Sequence, residues 1–335
     1  MVEYYYNTLC DVDKYCYKVV RDNLLNKIFE FNTPVFRDLS ALTYAISKDY
    51  PELYYVDFDD VYYHTGDQYW IKFGSHNYNT MLFDRKLNEI VNKGKIYRTD
   101  YDKVKFIHDY FAYNVKYDYQ SLEEINIYNA QLKNTGNPNK LDHAISDVNA
   151  YGSIVENSSV CQGIALAAVL ILRKLGVDAF YMSGISKDNT SLFPKDSPHA
   201  WFMAWIDGNL YHVDITSDLY IDSFETISYA FLNVNDKMMS KIFRYDCMYE
   251  AFCLDNNYYY KNKKICNNDN DIIKLFRTIN YNVEKQTISF LYRGFKKEEH
   301  IMQLFLSVYN DLCKDACEYS CLKIMNVVYF TIRKK

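Results

Sequence analysis

The feature that most restricts the fold is an uninterrupted run of Ile, Ala, Leu and Val over residues 164–172. This run predicts a helix that is apolar on every side, and such a helix is stable only when other elements surround it. Ser158 or Ser159 is the predicted N-cap, and Gly176 is the predicted C-terminal stop. The sequence therefore predicts a central helix, with Cys161 in its first turn.

Cys161 lies where unsatisfied N–H groups give a helix its partial positive charge. That charge favours a thiolate over a thiol, and the thiolate is the reactive form of cysteine. A cysteine in an apolar helix is nevertheless more often inert packing than a nucleophile. Whether Cys161 is a nucleophile therefore depends on whether the chain supplies a base and a carboxylate next to it.

A predicted β-hairpin supplies both partners. Asp-Gly at 207–208 separates two β-prone runs, which is a strong hairpin signal. A two-residue turn would pair Ile206 with Asn209, and His199 and Asp214 would then be diagonal neighbours on one sheet face. A four-residue loop keeps that register, whereas a three-residue loop would put them on opposite faces unless a bulge intervened.

These three side chains have the chemistry of a cysteine nucleophile with its base. Asp214 would orient His199, which would exchange a proton with Cys161. Attack of the thiolate on a carboxamide carbon gives an oxyanion and then a thioester, which water or an amine resolves. The backbone N–H of Cys161 is the first expected oxyanion donor, and Gln162 and Tyr117 are the two side-chain candidates for a second.

We predict no catalytic role for two further histidines and a tryptophan. His108 lies in an amphipathic helix and His212 shares the predicted face of Asp214, and a structural role is favoured for both. Trp201 is expected in the core or in the wall of the cleft. Because it follows His199 so closely, we predict that it lines the entrance for substrate.

Composition excludes several other functions. The net charge of −5 over 335 residues comes from interspersed signs, without the basic stripe that nucleic-acid binding requires. No apolar run reaches the ~20 residues of a transmembrane helix. The nine cysteines include no CxxC pair, and glycine-rich phosphate loops and GxSxG elbows are missing from the sequence. We therefore expect neither a CxxC zinc site nor a bound nucleotide or nucleic acid.

The pattern along the chain predicts an N-terminal accessory α/β region at 1–97, a catalytic core at 98–250 and a C-terminal accessory β-α-β region at 251–335. The finer predictions are helices at 36–48, 80–93, 101–116 and 297–318, strands at 53–57, 69–73, 287–291 and 322–332, and a polar surface excursion at 120–147 with a turn at 136–139.

Three motifs in this order resemble the bacterial transglutaminase-like superfamily. They are Val160-Cys161-Gln162-Gly163, His199-Ala200-Trp201 and Val213-Asp214-Ile215-Thr216. The resemblance covers about 100–235. It implies an α+β papain-like fold, with a nucleophile helix packed on an antiparallel sheet, and chemistry on protein or peptide amides without a metal or organic cofactor. By residue matching, Cys161 is the nucleophile, His199 is base and acid, and Asp214 orients His199.

The same resemblance makes Ala150-Tyr151-Gly152 similar to the family's approach to the nucleophile, with Tyr151 expected to line the cleft. A competing hypothesis is an inactive module of this family that binds peptide or protein through its accessory segments, which are rich in the chain's 35 tyrosines. The N-terminal residues lack the pattern of a secretory signal, so the expectation is an intracellular protein or one whose leader has been removed. The sequence does not indicate an oligomeric state.

Overall fold

The structure is a computed structural model that describes residues 2–66, 68–135, 145–187, 194–281, 283–312 and 316–334. Its α-helices are α1 (Asp11–Leu25), α2 (Leu39–Asp49), α3 (Thr80–Gly94), α4 (Asp100–Asn114), α5 (Tyr119–Thr135), α6 (Cys161–Lys174), α7 (Asp236–Met239), α8 (Tyr258–Lys261), α9 (Asp269–Arg277) and α10 (Glu298–Leu312).

Its strands are β1 (Glu30–Thr33), β2 (Val56–His64), β3 (Tyr69–Ser75), β4 (Lys116–Tyr117), β5 (Ser158–Ser159), β6 (Ala179–Ser186), β7 (Pro198–Ile206), β8 (Asn209–Val213), β9 (Tyr220–Ile221), β10 (Thr226–Ile227), β11 (Leu232–Val234), β12 (Phe243–Arg244), β13 (Ile265–Cys266), β14 (Lys285–Tyr292), β15 (Cys317–Ile324) and β16 (Val327–Lys334).

Helix α6 packs against a five-stranded antiparallel sheet of order β11-β8-β7-β6-β12, which confirms the predicted α+β arrangement. Every residue of α6 from Gly163 to Leu172 is buried, as the apolar run predicts. Helices α3 and α4 complete this core, where Leu87 and Val104 share a hydrophobic cluster with Ala168 and with Phe202 of β7. Helix α6 is therefore enclosed on all sides between Gly163 and Leu172.

The start of α6 differs in detail from the prediction. Cys161 is the first helical residue, and Val160 occupies the N-cap position without a side-chain cap. Ser159 does not cap the helix, because it lies on β5 and its hydroxyl donates to the carbonyl of Asp147 at 2.8 Å. The end of the helix is confirmed, since Gly176 follows it with φ of +81°.

The hairpin of β7 and β8 has the predicted two-residue turn. Asp207 and Gly208 both have positive φ, and Ile206 pairs with Asn209. The predicted register holds as far as the pair between Phe202 and Val213. Beyond that pair the chain leaves the sheet for a short 3-10 turn, and Asp214 lies at the junction, where its backbone N–H still donates to the carbonyl of Phe231 at 3.3 Å.

Three predictions in the N-terminal half are corrected. The excursion predicted from residue 120 begins as helix α5, because the Asp118 carboxylate accepts the backbone N–H groups of Gln120 and Ser121 at 2.9 and 3.0 Å. The predicted turn at 136–139 lies outside the described residues. The first predicted helix begins at Leu39, and the strand predicted at 53–57 is instead a 3-10 turn followed by β2.

In the C-terminal region the predicted strand–helix–strand unit contains one more strand. The helix of this unit is α10, which is shorter than predicted, because Cys317 starts strand β15. The single strand predicted at 322–332 is part of a hairpin that reverses at Met325, whose φ is +54°. Pairing of β15 with β16 across this hairpin, along the whole length of β15, outweighs the local helical preference.

The predicted domain limits are not marked by breaks between hydrophobic clusters. Helix α3 belongs to the cluster around α6, and Leu291 and Tyr329 of the C-terminal sheet share a cluster with Trp201 and Met203. The division at 97/98 and 250/251 stays a prediction. Among the described residues, none of the helices combines the length and apolar character that crossing a membrane requires.

Candidate active site

The structure brings Cys161, His199 and Asp214 together. The Nε2 atom of His199 is 2.8 Å from Oδ2 of Asp214, and both side chains are buried, with 4% and 0% of their surface exposed. The half-buried thiol of Cys161 hydrogen-bonds to the ring of His199. Because Nε2 faces the carboxylate, the remaining nitrogen, Nδ1, is the one available to the thiol.

The charges of this group favour a thiolate–imidazolium pair. Burial lowers the pKa of His199, but the charge and hydrogen bond of Asp214, together with the contact to Cys161, raise it to about 10. Burial raises the pKa of Cys161, but the hydrogen bond and charge of His199 and the backbone N–H of Ala200 lower it below its ordinary value. A lowered thiol pKa beside a raised imidazole pKa is the arrangement of an activated cysteine.

Ser217 holds the carboxylate in place and is a residue that the sequence analysis missed. Its backbone N–H donates to Oδ1 of Asp214 at 3.1 Å, and its hydroxyl donates to Oδ2. Both bonds arise from the short turn at Thr216–Asp218. The matched Asp-Ile-Thr motif ends one residue earlier, so only the conformation of this turn reveals the role of Ser217.

We expect Ser217→Ala to destabilise the protein by about 2 kcal/mol, because a buried carboxylate loses a charged hydrogen bond. The reaction of Cys161 with iodoacetamide should slow several-fold as His199 loses part of its alignment. Chemical denaturation and mass spectrometry measure the two effects. Ser217→Thr keeps the hydroxyl and should restore both, whereas equal losses in the Thr and Ala variants would contradict this role.

The two candidate oxyanion donors have different surroundings. The phenol of Tyr117 contacts both the thiol and the backbone N–H of Cys161, and burial followed by the charge of Cys161 raises its pKa, so it stays a neutral donor. Strand β4 brings Tyr117 there through its parallel pairing with β5. One amide N–H of Gln162 already donates to the carbonyl of Val148 at 2.7 Å. Tyr117 is therefore the better placed of the two.

Neither aromatic residue predicted to line the cleft is exposed to it. Trp201 is 1% exposed and packs behind His199, and Tyr151 is 7% exposed and stacks on Tyr78 with ring centroids 4.2 Å apart. Burial corrects the cleft-lining prediction for both rings, and it places Trp201 in the core, which was the other position expected for it. Trp201 belongs to the hydrophobic cluster that includes Leu291 and Tyr329 of the C-terminal sheet. Tyr151 belongs to the cluster around α6.

A buried lysine near the thiol is a second residue without a sequence signal. Lys48 of α2 places its Nζ 5.3 Å from the ring centroid of Tyr44 and 5.2 Å from that of Tyr181. Burial lowers its pKa to about 8, against the opposing charges of Asp59 and Cys161. More than one hundred residues separate Lys48 from Cys161, so only tertiary packing reveals that they are neighbours.

With this geometry in place, the sequence can be compared with known proteins. Residues 89–215 match the model of the transglutaminase-like superfamily, a segment that contains all three residues of the site. This part of the chain therefore belongs to the transglutaminase-like superfamily. A search of curated proteins gave no significant match to the sequence.

Solved structures with some similarity include a transglutaminase (15% identity, TM-score 0.32, 47% of this chain and 43% of that one). They also include a candidate cysteine protease from Cytophaga hutchinsonii (17%, 0.28, 47% and 61%) and a candidate protease from Parabacteroides distasonis (8%, 0.25, 84% and 62%). The chain spans less than two thirds of each of these proteins. The family assignment rests on the match of residues 89–215.

Proposed function

We propose that this protein is a cysteine enzyme that acts on a protein or peptide carboxamide through a thioester on Cys161. The observation that carries the proposal is the continuous contact from the Cys161 thiol through His199 to Asp214, with the second step at 2.8 Å. A structural cysteine in an apolar helix would need neither a buried imidazole nor a carboxylate beside it. Transamidation, deamidation and hydrolysis share this first half-reaction.

In the first half-reaction the thiolate of Cys161 attacks the carboxamide carbon, forming a C–S bond and moving the C=O π electrons onto oxygen. The backbone N–H of Cys161 contacts the Tyr117 hydroxyl, and an oxyanion that displaces this mutual contact would accept from both groups. The tetrahedral intermediate then collapses. His199 gives its proton to the departing nitrogen, which leaves as ammonia or an amine.

In the second half-reaction His199, now neutral, takes a proton from water or from an amine as that molecule attacks the thioester carbon. The C–S bond breaks and the Cys161 thiolate is restored. Water yields a carboxylic acid, which is deamidation when the substrate is a glutamine side chain and hydrolysis when it is a peptide bond. An amine yields a new amide.

The test is to incubate the protein with a set of glutamine-containing peptides, with and without a biotinylated primary amine, and to quench in acid. Mass spectrometry should show an acyl adduct on Cys161 and one of three products: an amine conjugate, a deamidated peptide or a cleaved peptide. We expect Cys161→Ala to lower product formation at least about 1,000-fold.

The result that contradicts the proposal is a folded wild-type protein that forms neither adduct nor product with any peptide of the set. Peptide binding without turnover would then support the alternative, an inactive module of this family. Cys10, which is exposed, gives a control in the same samples, because an acyl adduct on it would report non-specific chemistry.

A further inference from the structure

Trp201, His212 and Asp236 form a row of hydrogen bonds next to His199, and the mechanism above does not use it. The indole Nε1 of Trp201 donates to Nδ1 of His212 at 2.9 Å, and Nε2 of His212 lies 2.8 Å from Oδ1 of Asp236. An indole nitrogen can only donate, so Nδ1 must be the accepting atom of a neutral His212. The hydrogen of this imidazole is then on Nε2, pointing at the carboxylate.

The outer end of this row is fixed by the backbone and by a tyrosine. Asp236 begins α7, and its Oδ2 accepts the backbone N–H of Ala251 at 2.6 Å. Its Oδ1 also accepts the hydroxyl of Tyr245 at 2.8 Å, and that hydroxyl is 3.3 Å from Nε2 of His212. Asp236 thus has a partner for both oxygens and is a rigid anchor for His212.

The inner end of the row meets His199 through stacked rings. The rings of His199 and Phe243 are 5.0 Å apart at an angle of 13°, and those of Phe243 and Trp201 are 5.1 Å apart at 28°. His199 and Trp201 also stack directly, at 6.2 Å and 24°. The plane of the indole, which His212 fixes, therefore limits the plane available to the imidazole of His199.

We propose that Trp201, His212 and Asp236 are positioning residues that hold His199 in the plane where it meets both Asp214 and Cys161. The inference rests on the proposed function only in that it concerns the same thiol–imidazole pair. His199 has two hydrogen-bond partners on opposite nitrogens, so a rotation of the ring weakens at least one of them. The stacked rings of Phe243 and Trp201 press on the face of the imidazole and oppose that rotation. Asp214 and Cys161 bind at the edge of the ring and do not contact its face.

The neutral state of His212 is part of this arrangement. Protonation of Nδ1 would place two N–H donors against each other, and burial lowers the pKa of His212 against the opposing effect of Asp236. Among the described residues, the titratable groups that hydrogen-bond to His212 are Asp236 and Tyr245, and its third hydrogen-bond partner is the uncharged indole. Removing the indole N–H would free Nδ1, and the carboxylate of Asp236 would then favour a protonated His212.

Trp201→Phe tests the proposal, because it keeps an aromatic ring and removes the N–H. The readouts are the rate of Cys161 alkylation by iodoacetamide from pH 5 to 9 and the titration of His212 by NMR. We expect the alkylation plateau to fall about tenfold, the equivalent of one pKa unit. In the NMR spectrum we also expect His212, whose ordinary pKa is ~6.5, to titrate between about pH 5 and 7 once the indole N–H is absent.

The matched control is Trp205→Phe on the same strand, where the indole packs against Tyr249 instead of binding His212. It should leave the profile unchanged. The double variant Trp201→Phe/His212→Gln should lose this NMR titration, because glutamine does not titrate. His212→Gln alone should keep nearly the wild-type plateau, because its amide can accept from Trp201 and donate to Asp236.

The proposal is overturned if Trp201→Phe has the wild-type plateau and profile, or if Trp205→Phe loses as much. If Trp201→Phe does not fold at assay temperature, His212→Gln against His212→Leu decides the question: equal plateaus overturn the proposal, and a loss confined to Leu supports it. Alkylation requires no amide substrate, so this result is independent of whether the proposed turnover is found.

Discussion

Replacing His199 with alanine is expected to slow the alkylation of Cys161 by iodoacetamide about 100-fold at pH 6. In the wild type the hydrogen bond and charge of His199 overcome burial and lower the pKa of the thiol. Without them burial raises that pKa, and even a free thiol, with a pKa of ~8.5, is less than about 1% thiolate at pH 6. The lower nucleophilicity of a low-pKa thiolate offsets part of this difference.

The pH dependence of Cys161 alkylation should differ between the wild type and His199→Ala. The wild-type rate should reach its plateau at a lower pH than a free thiol and keep it up to pH 9, because the pKa of Cys161 is lowered and the raised pKa of His199, about 10, keeps the ion pair intact. The His199→Ala rate should rise tenfold per pH unit up to the new thiol pKa. Mass spectrometry follows each cysteine separately, and the exposed Cys10 should react alike in both proteins. A flat profile in the variant would refute activation of the thiol by His199.

Gly163→Ala should destabilise the protein by about 3 kcal/mol and sharply reduce alkylation of Cys161. A Cβ on Gly163 would lie inside van der Waals contact of Ser159 Oγ and the Asp147 carbonyl, and 2.7 Å from the Asn149 carbonyl. Two of these three atoms are backbone and cannot rotate away. The first turn of α6 would have to move, and Cys161 would move with it.

The control for this prediction is Gly208→Ala in the hairpin turn. No atom lies within 4 Å of the Cβ there, but φ is +79°, so the cost should be about 1 kcal/mol from backbone strain alone. Chemical denaturation gives both values, and alkylation of Cys161 should be unaffected in the Gly208 variant. Equal stability losses in the two variants would show that the first turn of α6 accommodates the methyl group.

Local sequence patterns predict those parts of the site whose conformation depends on residues close together in the chain. The apolar run predicts α6, since such a helix has nowhere to lie but inside a fold. Asp-Gly predicts the hairpin register because a turn with positive φ at two positions strongly favours that pair. Together these patterns place Cys161 at a helix start and His199 near Asp214 in space, and the motif order adds the family resemblance.

Local patterns fail where the structure depends on a partner that lies outside the patterned segment. Helix α5 depends on the Asp118 carboxylate, which caps its N-terminus. A polar segment contains several side chains that could form such a cap, and the sequence does not show which of them does. Strand β15 exists because β16 pairs with it along its length, and helical periodicity in the sequence does not reveal that partner. Trp201 and Tyr151 are drawn into cores whose other members come from remote parts of the chain.

The sequence by itself singled out Cys161, His199 and Asp214 as the candidate thiol, base and carboxylate, because each belongs to a short segment whose helix start or turn is encoded within a few residues. Only the tertiary structure decided what surrounds them: Ser217 on the carboxylate, Tyr117 and Lys48 beside the thiol, and the row from Trp201 to Asp236 behind the imidazole. The physical reason is that burial and hydrogen bonding between distant segments depend on how whole layers pack. Those contacts set the pKa values and the ring orientations on which reactivity depends.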